Sequence, residues 1–79
     1  MKALTRLQKR LQAAGYEVSR ITLNSIDGMI PALDVNTDYT GEYPTAETFR
    51  QHAEIEKLCG KRFRAEQRGF YTAVYITEA

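Results

Sequence analysis

The chain has 79 residues, 43% of them hydrophobic, and a net charge of +1. That length suits one domain spanning 1–79 and is too short for two. Leu, Ile, Val and Phe together supply 17 residues, enough to expect a folded core rather than disorder, and no stretch approaches the roughly 20 apolar residues of a membrane helix.

Leu4, Leu7, Leu11 and Ala14 recur at three- and four-residue spacing, which predicts an amphipathic helix over 3–14 with Lys2, Arg6, Lys9 and Arg10 on its other sides. Gly15 follows and suits the left-handed position that ends a helix. Residues 18–25 and 29–36 then read as a hairpin around Asp27-Gly28. A three-residue loop, Ile26-Asp27-Gly28, sets Ile21 opposite Leu33 and Ser19 opposite Val35. A two-residue Asp-Gly loop sets Ile21 opposite Asp34 and gives a poorer core, so the first register is preferred. Pro31 has no amide donor, which moves 29–36 toward a sheet edge.

Residues 36–44 form the clear loop. Pro44 or Thr45 opens a second helix, with Glu47 in its first turn, running to Cys59 and stopping at Gly60. Its expected inner stripe is Phe49, His52, Ile55 and Cys59, with Ala53 beside it. Residues 61–67 and 70–77 form a second hairpin around Arg68-Gly69, with Phe63 facing Val74, Ile76 beyond, and Arg62, Arg64, Tyr71 and Tyr75 pointing outward. The order is α-β-β-α-β-β: an α+β fold with an antiparallel sheet of two hairpins and two helices on one face. At an offset of 45 residues Gly15 matches Gly60, Val18 matches Phe63 and Leu4 matches Phe49, but Ile21 falls on Glu66, so the halves share an architecture rather than a repeated sequence.

Charge is unevenly placed, at net +4 over 1–20, −5 over 21–60 and +2 over 61–79. Opposite poles of this kind steer encounter and partner choice.

Most enzyme chemistries lack their residues here. One histidine and one cysteine are present, and His52 and Cys59 stand seven residues apart on one helix, about 10.5 Å along its axis. A nucleophile and its base need contact within hydrogen-bond reach. The same pair falls short of the three or four ligands of a zinc site. Asp34-Val35-Asn36-Thr37-Asp38 begins like a calcium loop, but Tyr39 replaces the turn glycine and Thr45 the bidentate glutamate. Gly60-Lys61 has Ile55 where a phosphate-cradling loop needs glycine. Glu54 and Glu56 diverge by about 200° around their helix. The expectation is a non-enzyme with no catalytic residues, no metal and no cofactor.

Binding is the remaining class. Arg62, Arg64, Tyr71 and Tyr75 make a basic-aromatic stripe. Arg and Tyr dominate protein-binding hot spots, and the same groups stack bases and neutralise phosphates. Tyr39 and Tyr43 in the acidic loop form a second candidate surface, suited to a basic protein. A protein partner is the leading expectation and nucleic acid the alternative, because strong phosphate binders are markedly basic. Pairing of 29–36 as an edge strand between two copies would give a homodimer. The lone cysteine and the missing apolar leader point to a reducing, cytoplasmic setting.

In its short length, its opening Met1-Lys2-Ala3-Leu4 leading into a helix, and its tyrosine-rich Gly69-Phe70-Tyr71-Thr72-Ala73-Val74-Tyr75, the chain resembles small phage and prophage accessory proteins, including those that inhibit host defence. The resemblance implies a stoichiometric binder that blocks a host complex without a cofactor.

Overall fold

Helix α1 (Lys2–Ala13) forms because Leu4, Leu7 and Leu11 make one apolar stripe, and all three are buried. It ends as expected: Gly15 takes φ +104°, and the Tyr16 N–H donates back to the Leu11 carbonyl at 3.1 Å. Four strands and a second helix follow, β1 (Val18–Ser25), β2 (Gly28–Val35), α2 (Ala46–Cys59), β3 (Phe63–Arg68) and β4 (Tyr71–Ile76). The computed structural model describes residues 2–26, 28–69 and 71–76. The strands form one antiparallel sheet in the order β1-β2-β4-β3. Both helices cover the same face, where Leu4, Leu7, Leu11, Ile55 and Cys59 pack on Leu33, Val35 and Val74. The α+β order read from the sequence is the order observed. Among the described residues, no helix is long and apolar enough to cross a membrane.

Thr45 caps α2. Its hydroxyl accepts from the Thr48 N–H at 3.1 Å, and Thr48 Oγ1 accepts from the Thr45 N–H at 3.1 Å, a reciprocal cap with threonine in the usual glutamate position. Asp38 reinforces it, accepting from Thr45 Oγ1 at 2.9 Å and from Thr48 Oγ1, while its own N–H donates to Gln51 Oε1 at 2.8 Å. The 36–44 loop is therefore tied to the helix it precedes. This also turns α2 about its axis. Thr48, Ile55 and Cys59 are buried, whereas Phe49 is 64% exposed and His52 half-buried. Phe49, expected in the inner stripe, lies about 100° round the helix from Thr48.

The first hairpin departs from the expected register. Ser25 pairs with Gly28, which brings Gly28 into the ladder, and Ile21 stands opposite Ala32 rather than Leu33; Asp27 lies outside the described residues. One residue of slip reverses which face each side chain takes. Val18, Leu33 and Val35 face the helices, and Ile21, Leu23, Ile30 and Ala32 face away. The expected register assumed a single buried face. β2 is apolar on both, as an interior strand is.

Pro31 does not make β2 an edge. β2 lies between β1 and β4, and its ladder to β4 joins Leu33, Asp34 and Val35 to Val74, Ala73 and Thr72. Pro31 lies beyond that ladder, where its missing N–H costs no bond. The edges are β1 and β3, so 29–36 is an interior strand and not the sheet edge that the expected pairing of two copies was built on.

In the second hairpin Arg68 pairs with Tyr71, so Arg68 belongs to the ladder rather than to the expected Arg68-Gly69 turn. Phe70 and Thr77, placed in the expected strand, lie outside the described residues. Phe63 meets Ile76, and Ala65 meets Val74. This is a two-residue shift, which leaves Phe63, Arg64, Tyr71, Val74, Tyr75 and Ile76 on their expected faces. The two halves do share a layout, with β1 and β3 at the edges, β2 and β4 in the centre, and a positive-φ glycine (Gly15, Gly60) before each hairpin.

Candidate interaction face

The sheet face away from the helices has no second layer among the described residues. β1 places Ile21 and Leu23 there, β2 Ile30 and Ala32, and β4 Tyr71, Ala73 and Tyr75, which pack into one apolar cluster. Leu23, Ala32 and Ala73 are buried beneath their neighbours, and the larger side chains are half-exposed. β3 adds a charged rim. In register, Arg64 lies beside Tyr75, Glu66 beside Ala73 and Arg68 beside Tyr71. Glu66 sits between the arginines, 3.6 Å from Arg64 Nη2 and 2.8 Å from Arg68 Nε.

Asp34 interrupts this surface in mid-sheet, between Ser19 of β1 and Ala73 of β4. Its Oδ1 is buried and meets no hydrogen-bond partner among the described residues. Burial raises its pKa above the ordinary carboxylate value.

The six expected binding residues fall in three places. Arg64, Tyr71 and Tyr75 share the open face. Arg62 precedes β3 and lines a hollow with Ala3, Arg6, Leu7 and Arg10 of α1, apart from the tyrosines. Tyr39 lines a cleft of about 250 Å³ with Pro44, Thr48, Phe49, His52 and Gln67, while Tyr43 is 83% exposed outside that cleft. The stripe as a whole is thus not one surface, because the chain turns at Lys61-Arg62 before β3 begins.

Sequence reasoning missed Ile21, Leu23, Ile30 and Asp34. The signal was present in β2, where Ile30 and Ala32 alternate with Leu33 and Val35 to give apolar residues at both parities. It also missed Tyr16. That hydroxyl donates to Glu54 Oε1 and has its pKa pushed up to about 12, by burial first and then by the Glu54 bond and charge.

Of the residues considered for catalysis, Cys59 lies in the core and His52 lines the Tyr39 cleft. Cys59 is 5% exposed in the helix-side core, and burial pushes its thiol up to about 11, which keeps it protonated at neutral pH. His52 lies 3.7 Å from Glu56, one turn along α2. Among the described residues no three of His, Cys, Asp and Glu are grouped to hold a metal ion. Asp34 lies on the open face while Asp38 caps α2. No family model matches the chain, and comparisons with curated proteins and with solved structures returned no match either.

Proposed function

We propose that this chain is a non-enzymatic binding protein that engages a protein partner through the uncovered sheet face, and that engagement blocks the partner. The observation that supports this most is the composition of that face: Ile21, Leu23, Ile30, Tyr71 and Tyr75 belong to one apolar cluster, on the same face as Asp34, whose Oδ1 has no hydrogen-bond partner among the described residues. A sheet is stable when its apolar face is covered by another layer, and an exposed apolar patch on a folded protein marks an interaction site. Four strands about 4.8 Å apart and about six residues long give a planar footprint of roughly 400 Å². A standard interface takes about 800 Å² per partner. That footprint already includes the β3 rim at Arg64 and Arg68, so the partner also extends beyond the sheet. A partner cation fits Asp34, and the tyrosines act as amphipathic anchors. Blocking a host complex, as the resemblance to phage accessory proteins implies, requires no chemistry beyond such occupancy.

The test is capture of the partner from host lysate by the wild-type chain, Tyr71→Ala and Tyr75→Ala, with photocrosslinkers placed at Ile30 and at Lys57 on the exposed side of α2. Each tyrosine change is expected to cost about 1–2 kcal/mol of binding, and only the Ile30 position should crosslink. Nucleic acid is the competing outcome. It is disfavoured because Glu66 offsets both arginines of the rim. Steeply salt-dependent binding to an arbitrary oligonucleotide, lost on Tyr75→Ala, would replace the protein reading.

A further inference from the structure

A second surface lies on the other side of the molecule. Arg6 and Arg10 of α1 stand on one bank of a hollow of about 340 Å³, and Lys61 and Arg62 of the α2–β3 turn on the other, above a floor that includes Leu7 and Cys59. Arg6 and Arg10 are four residues apart, on adjacent turns of one helix face. None of the described residues lining the hollow is acidic.

Three arginines elsewhere meet carboxylates, Arg50 pairing with Glu47 and Glu54 and Arg64 and Arg68 with Glu66, while Arg20 donates to Thr5 Oγ1 at 3.1 Å. Among the described residues, no carboxylate comes within ion-pair distance of Arg6, Arg10 or Lys61. The carbonyl end of α2 explains part of the clustering, since Arg10 Nη1 donates to the Leu58 carbonyl at 3.0 Å and cations are favoured at helix C-termini. That bond occupies one of five guanidinium donors. It leaves Arg6, a turn away, and Lys61 without a structural task. Like charges held around one hollow repel, and a bound polyanion relieves that cost.

We infer that this hollow binds a compact polyphosphate, with the two guanidiniums gripping phosphate oxygens in their planar fork and Lys61 acting as a point charge. The cations converge from two banks on one cavity rather than following a line along the surface, which fits a short, highly charged ligand better than a nucleic-acid strand. Half-buried Phe63 at the rim offers a wall for an organic group attached to the phosphates. A nucleoside triphosphate and free inorganic polyphosphate share this chemistry. The hollow is separate from the Tyr71–Tyr75 face, so either proposal can fail alone.

The experiment is calorimetric titration of the full chain at low salt with inorganic triphosphate and, separately, with ATP. Saturable one-to-one binding is expected, weakened about tenfold by Arg6→Gln and by Lys61→Gln, the loss of one charge-assisted contact apiece. Arg50→Gln, which removes a cation paired elsewhere, should bind as wild type. All three positions are exposed, and circular dichroism confirms that each variant folds. Tighter binding of ATP assigns the site to nucleotides, and equal binding assigns it to free polyphosphate. Absence of binding by both probes, wild-type affinity in the Arg6 and Lys61 variants, or tighter binding of a single-stranded oligonucleotide than of triphosphate would each overturn the inference.

Discussion

Asp34→Asn tests whether the uncovered face holds a carboxylate at a cost. Asp34 sits in an interior strand with Ser19 and Ala73 beside it, and its Oδ1 has neither solvent nor a protein partner among the described residues. Leaving a buried polar group unsatisfied costs about 1–3 kcal/mol, more when it is charged. The asparagine amide keeps a polar atom in that place, so the change removes only the extra cost of the charge; with the residue half-buried, the variant should be more stable by about 1 kcal/mol at neutral pH. For a domain of this size that is about 4–8 °C in Tm. The pH dependence has a definite sign. Burial raises the folded-state pKa above the unfolded value, so the native state binds the proton more tightly, and stability falls as pH rises from the ordinary carboxylate range through the raised pKa. Below both values the wild-type carboxyl is neutral and the gap between the two proteins should close. Urea melts followed by circular dichroism, at neutral pH and again below the carboxylate range, measure both quantities. Equal stability at neutral pH, or an advantage that persists undiminished in acid, would refute the reasoning. The same variant should capture the proposed partner less well, which separates its effect on binding from its effect on folding.

Two further substitutions test the helix-side core and the cap. Leu33→Ala, at a fully buried position beneath the helices, should cost about 2–5 kcal/mol. That is a large part of the roughly 5–15 kcal/mol available to a domain, so its urea midpoint should fall sharply, and an unchanged midpoint would contradict the packing described. Thr45→Ala removes the α2 cap and an Asp38 partner. A loss of about 0.5–2 kcal/mol is expected, with faster amide exchange at Asp38 and in the first turn of α2, and no change in β1 and β2.

The elements were legible because each carried two independent signals. α1 had a leucine stripe and a terminal glycine, and α2 had an opening at Pro44-Thr45 and a stop at Gly60. The C-terminal hairpin was placed on the correct faces although its turn was shifted, since a two-residue error preserves parity. The first hairpin was not, because its register was chosen by maximising inward apolar pairs. That rule works for a strand buried on one side. β2 breaks it, with Ile30 and Ala32 on one face and Leu33 and Val35 on the other. Pro31 misled for a related reason: a missing donor forbids a ladder bond only where the ladder runs, and that to β4 covers Leu33–Val35. The orientation of α2 was not readable locally, because the Asp38 bonds that fix it come from a loop residue seven and ten positions upstream of Thr45 and Thr48.

The same misreading locates the functional question. With Ile21 and Leu23 placed inward, the outer face would hold polar groups and two tyrosines, and the basic-aromatic stripe would be its main feature. In the observed register those aliphatic residues join the tyrosines outside, while Arg62 leaves the stripe for the hollow beside α1. Apolar area and clustered positive charge are thereby sorted onto different sides of one small sheet. A ligand that gains its affinity from desolvation gains little at the hollow, where exposed cations stay hydrated, and a phosphate gains little at the tyrosines, where Glu66 offsets the nearest arginines. Occupation of one surface leaves the other accessible, since the hollow lies on the helix side of the sheet and the tyrosines on the opposite face. The near-zero net charge of the chain therefore does not describe either surface. It is the sum of a basic helix–turn corner, an acidic loop and helix, and a rim that neutralises itself, and each sets its own partner chemistry.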